Sequence, residues 1–121
     1  MKERELENYL RSHRRKSGLS QRQLGHLLGY DNEVQVSRHE RFEAVPPLDS
    51  ALGYHIVFRV PISALFPRIY EDVREAIEMR LGQLEISLQS SAVRGREAET
   101  IAQILVWMMD RRDRDIETDE S

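Results

Sequence analysis

Glycine and proline punctuate the first half of the chain at close intervals: Gly18, Gly29, Pro46-Pro47, Pro61 and Pro67. Glycine favours the left-handed helix stop, and proline lacks the N–H that would continue a helix. Between the breaks apolar residues recur at three- and four-residue spacing, so the segments read as short amphipathic helices. Leu6, Tyr9, Leu10 and His13 mark the first, over residues 3–16, stopped by Gly18. Ser20 before Gln21-Arg22-Gln23 is a capping-box signature opening a second helix along Leu24, Leu27 and Leu28, which Gly29 ends. Asp31 or Asn32 caps a third, from about Glu33 to Arg41, with Val36 inward. Leu48, Ala51, Leu52, Ile56 and Val57 set the inward face of a fourth, and Ser63 opens a short fifth ending at Leu65-Phe66.

Beyond Pro67 the pattern lengthens. Ile69, Val73, Ile77, Leu81, Leu84 and Leu88 form one stripe, Ser90-Ser91 to Gly95 reads as a hinge, and Ala98, Ile101, Ala102, Leu105 and Met109 form a second stripe with Trp107 and Met108 alongside. The organisation expected is therefore a front domain over 1–66, two helices over 67–112, and a disordered acidic tail over 113–121. The rear stripe exceeds what a small front domain needs to cover. Val73, Ile77, Leu81, Leu84, Leu88, Ile101 and Leu105 are thus expected to pair two copies of the chain, with packing onto the front domain as the alternative.

Composition narrows the chemistry. There is no cysteine, hence no disulfide, thiolate metal site or thiol nucleophile. His13, His26, His39 and His55 lack metal-ligand spacing and read as structural or surface residues. The rear carboxylates lie on polar helix faces with no nucleophile or phosphate loop, so neither catalysis nor a cofactor is expected. No apolar run reaches the roughly 18 residues of a membrane span, and the chain starts charged, so a cytoplasmic location is expected. The net charge of −3 is unevenly spread: residues 1–66 carry +2 and residues 67–121 carry −5. Arg11, Arg14, Arg15 and Lys16 cluster at the front, the pattern of a phosphate-facing patch.

Leu19-Ser20-Gln21-Arg22-Gln23-Leu24-Gly25, Gly29 and Val36-Ser37-Arg38-His39-Glu40-Arg41, followed by Pro47-Leu48 and Phe58 to Pro67, resemble the Xre or Cro/CI-type helix-turn-helix regulators of bacteria and phages, over about residues 4–67. The resemblance implies an all-α chain: a five-helix, lambda-repressor-like helix-turn-helix domain followed by two C-terminal amphipathic helices. It implies a DNA-binding transcriptional regulator, a repressor by default, that reads an inverted-repeat operator in double-stranded DNA as a homodimer. Glu33, Val34, Gln35, Ser37 and Arg38 take the family's base-reading positions. Arg38 would bridge guanine O6 and N7, Gln35 or Ser37 would meet adenine or the backbone, and Glu33 would accept from cytosine N4. Arg11, Arg15, Ser20, Gln21, Arg22 and Arg41 are the expected phosphate contacts, and Arg14 with Glu40 the expected structural ion pair. Several residues depart from the family pattern: Gly25 stands for its usual alanine, the turn after Gly29 is one residue longer, His39 replaces an apolar residue and Phe42 a common glycine. Two rival functions remain at this point: an antitoxin that holds a toxin protein through its rear helices, and an adaptor that reuses the fold without DNA.

Overall fold

The structure, a computed structural model, describes residues 7–120, and their side chains through residue 114. It is all-helical over these residues: α1 (Leu10–Ser17), α2 (Gln21–Leu27), α3 (Val34–Glu40), α4 (Leu48–Phe58), α5 (Ile62–Leu65), α6 (Pro67–Gln89) and α7 (Arg96–Glu120). The chain divides into two compact units between Glu75 and Ala76, inside α6, rather than at Pro67. Pro67 starts a helix because its missing N–H is one that a first helical residue leaves unused.

In the first unit α1 packs on α3 and α4, α2 on α3, and α4 on α5. Leu10, Leu24, Val36, Tyr54, Leu65 and Phe66 are buried at its centre, with Leu19, Leu28, Ala51, Val57 and Ile69 against them. The first helix is shorter than its periodicity implies, because residues 7–9 are not helical; Leu6 and the residues before it lie outside those described. Asn8 Oδ1 accepts the Leu10 N–H (3.1 Å) and so starts α1 there. At α2 the capping box forms in both directions, Ser20 Oγ accepting from Gln23 N–H (3.0 Å) and Gln23 Oε1 from Ser20 N–H (2.9 Å).

Two expected faces are corrected. Leu27 is exposed, leaving Leu24 and Leu28 as the packing residues of α2. In α4 the expected Leu48, Leu52 and Ile56 stay in solvent, and Ser50 and Tyr54 are buried instead. Their hydroxyls can be buried because each has a partner: Ser50 Oγ shares a hydrogen bond with Tyr30 (2.6 Å), and Tyr54 with His39 (2.7 Å).

The second unit holds the remainder of α6 and α7. Glu78 and Glu85, about 10 Å apart along a helix, pair with Arg111 and Arg112, neighbours on α7. Leu81, Gly82 and Met108 line a hollow together with Glu78, Arg111 and Arg112. Met108 is buried, whereas Ile77, Met79, Leu84, Ile86, Val106, Trp107 and Met109 are 43–66% exposed. α7 runs to Glu120. No glycine or proline follows Gly95, and Asp110 pairs with Arg114 one turn on (2.9 Å), so nothing stops the helix.

Candidate functional site

The seven residues of α3 have their rotation fixed from behind. Val36 and His39 are buried, at 0% and 1% exposure, so at 100° per residue Val34, Arg38 and Arg41 fall on the opposite face, with Gln35 and Ser37 on its flanks. Val34 is 50% exposed, Arg38 and Arg41 are exposed, and Gln35 and Ser37 are half-buried. The first turn is secured by Asn32, whose Oδ1 accepts the Val34 N–H (2.9 Å); Glu33 is the N-cap residue with its side chain in solvent. At the other end Phe42 adopts φ +57, donating its N–H to His39 O (3.1 Å), while Glu43 N–H reaches Arg38 O (2.9 Å). This left-handed helix stop is where glycine is ordinarily easiest to place.

Three helices meet at one carboxylate. Arg14 Nε donates to Glu40 Oε2 (2.6 Å) and its Nη2 to Oε1 (3.2 Å), while Nη1 donates to Leu19 O (3.1 Å). Gln21 Nε2 donates to the same Glu40 Oε1 (3.0 Å). The Glu40 side chain is only 2% exposed and that of Arg14 13%, so α1, α2 and α3 are fastened by a largely desolvated, two-pronged pair. One side chain read as a phosphate contact, Gln21, is thus already engaged within the fold.

Behind α3 lies a polar cluster that periodicity did not reveal. Asn8 Nδ2 donates to His39 O (2.9 Å), and the His39 ring shares its Nδ1 hydrogen bond with Tyr54 while meeting the Tyr54 ring edge-on (centroids 5.8 Å apart). Burial holds the His39 imidazole below its ordinary pKa, and the neighbouring Arg38 charge acts in the same direction. Burial likewise pushes the Tyr54 phenol well above its usual range, with Glu40 and Tyr30 adding to the effect. Both groups are therefore neutral near pH 7.

The cations divide among three hollows. Arg11 and Arg41 line one cleft of about 170 Å³ with Arg14, Gln21, Ser37 and Glu40, and Arg41 also pairs with Glu43 (3.3 Å). Ser20 and Arg22 line a second with Leu19, His26 and Asp31. Arg15 sits with Asn8, Tyr9, Arg11, Ser12 and Lys16 on another flank of α1, in a hollow that includes no residue of α2 or α3. The arrangement therefore brings Arg11, Gln21 and Arg41 beside the exposed face of α3 and leaves Arg15 away from that cleft.

Gly25 is what lets α2 approach the following turn. A Cβ there would stand 2.6 Å from Asn32 O and 3.6 Å from Val36 Cγ2, so even alanine is excluded without a backbone shift. The turn after Gly29 brings the Asn32 carbonyl over α2, and the missing side chain of Gly25 makes room for it.

Sequence periodicity also missed an apolar groove of about 260 Å³ in the first unit, lined by Val45, Pro46, Ala51, Ile62, Phe66 and the first turns of α6. Val73, read as a pairing residue, belongs to it. Among the described residues no three His, Asp or Glu side chains gather as a metal site requires, and no described helix is long and apolar enough to cross a membrane. No protein-family model, curated protein or solved structure matches the chain.

Proposed function

We propose that the chain is a sequence-specific DNA-binding transcriptional regulator, in which α2 and α3 act as a helix-turn-helix and the exposed face of α3 enters the major groove. One observation supports this above the others: α3 is immobilised from behind by Val36, His39 and Glu40, while its opposite face presents Arg38 and Arg41 to solvent. Among the described residues the Arg38 guanidinium has no hydrogen-bond or ion-pair partner. A rigid helix with a free guanidinium on a face that makes no core contact suits a groove about 12 Å wide whose base edges carry a distinct donor and acceptor pattern. Arg11 and Arg41, which line the adjoining cleft, would take a phosphate in this reading, Arg41 giving up its exposed pair with Glu43 to do so; such a contact orients a reader without specifying sequence.

Two copies would act together. Ile77 and Leu84, seven residues apart and so on one face of α6, are 43–44% exposed, and Val106, Trp107 and Met109 are exposed on α7; apolar surface of this kind supports pairing of two copies. A homodimer joined there would present two α3 helices to half-sites about 34 Å apart, and occupancy of such a site would repress by exclusion. Chemistry at the bases is not required.

The test is selection from a randomised duplex with wild-type protein and with Arg38→Ala. The variant is expected to lose about 1–3 kcal/mol of discrimination at one base position per half-site while keeping its remaining preferences. Identical preferences for both proteins would remove Arg38 from the reading face.

A further inference from the structure

We infer that Val34 reads the C5-methyl group of a thymine, making it a specificity-determining residue on the face that Arg38 shares. The inference rests on the DNA-binding reading above and adds a chemical identity to one base of the site. A single exposed valine on a protein surface is ordinary. What distinguishes Val34 is its position: it opens α3, its surroundings in the chain are Asp31, Asn32, Glu33 and Gln35, and it is 50% exposed on the face that Val36 and His39 turn outward. It is no part of the packed core of the first unit, so no fold requirement among the described residues accounts for an apolar side chain there.

The placement is also fixed. Asn32 Oδ1 holds the Val34 N–H at 2.9 Å, Ser37 N–H bonds Glu33 O at 2.9 Å, and a β-branched side chain has few rotamers in a helix. Val34 and Arg38 are one turn apart, about 6 Å along the axis, which spans one to two base-pair steps. In the major groove the only apolar feature a base presents is the thymine methyl group, and guanine presents the paired acceptors that a guanidinium fits. The two side chains together therefore select a thymine within two base pairs of the guanine read by Arg38. Glu33, exposed beside Val34, disfavours a phosphate at this point and so keeps the valine over base edges rather than backbone.

The test uses the full chain and the duplex that it selects from a random library. Each thymine is replaced singly by deoxyuridine, which removes only the methyl group, and binding is measured for wild type and for Val34→Ala. Because Val34 is exposed, the variant is expected to fold as wild type does, which circular dichroism and a urea midpoint establish. One thymine per half-site, within two base pairs of the position that Arg38→Ala relaxes, is expected to lose about fourfold in affinity on demethylation with wild type, the effect of burying one methyl group. The same replacement is expected to leave Val34→Ala binding unchanged. A selected site that wild type binds equally well with deoxyuridine at every thymine overturns the inference while leaving DNA binding intact. So does a methyl effect that persists in Val34→Ala. Failure to select any duplex overturns the underlying reading as well.

Discussion

At the scale of single residues, two substitutions separate packing from propensity. Alanine is the better helix former by about 1 kcal/mol, so Gly25→Ala would stabilise α2 if only the helix mattered. The 2.6 Å approach to Asn32 O reverses the sign, and the variant is expected to lose about 1–3 kcal/mol in urea unfolding. A gain in stability would mean that the turn relaxes freely. His39 carries the second prediction. Its pKa is lowered in the folded chain, so the unfolded chain binds the proton more readily, and stability is lost as pH falls through the unfolded value of about 6.5 towards the lower folded value. The urea midpoint is expected to drop between pH 7.5 and pH 5 by more in wild type than in His39→Gln; equal slopes would contradict a buried neutral imidazole. Both residues stood out in the sequence, Gly25 inside a helix and His39 at an inward position, yet the sequence could not show that Asn32 O and Tyr54 are their partners.

At the scale of helices, the Arg14–Glu40 pair is the fastening that sets α3 against α1 and α2. Its side chains are nearly desolvated, so removing one partner leaves the other uncompensated, and Arg14→Ala or Glu40→Ala is expected to cost about 3–5 kcal/mol. Changes below about 0.5 kcal/mol in thermal or urea unfolding would reduce the pair to an exposed contact. The helices themselves were legible because capping chemistry and breaks are local: Ser20 with Gln23, Gly18, Gly29 and the prolines placed most boundaries within a residue or two. The facing of α4 was not legible. Leu48, Ala51, Leu52, Tyr54, Ile56, Val57 and Phe58 spread apolar side chains around the helix, and the choice among faces was made by hydroxyl partners on other elements, Tyr30 for Ser50 and His39 for Tyr54. The first helix starts later than its periodicity implies for a related reason, since the side chain of Asn8, which lies outside the apolar pattern, holds the Leu10 N–H.

At the scale of the whole molecule, charge and apolar surface are partitioned between the halves: +2 over residues 1–66 and −5 over residues 67–121, with exposed Ile77, Leu84, Val106, Trp107 and Met109 in the second unit. If that surface joins two copies, Leu84→Glu places two like charges into the interface and is expected to halve the mass seen by light scattering. An unchanged mass would exclude Leu84 from it. The acidic excess in the second half would also keep that half off a polyanion and leave the contact to α1, α2 and α3. The most direct measurement is selection of bound fragments from a random double-stranded DNA library by the full chain, followed by titration of the best duplex at several salt concentrations. An inverted repeat with half-sites about one helical turn apart, bound more weakly as salt rises, is the result expected of a dimeric groove reader. No enrichment over bulk DNA at any salt concentration would contradict the assignment and turn attention to the second unit as a protein-binding surface.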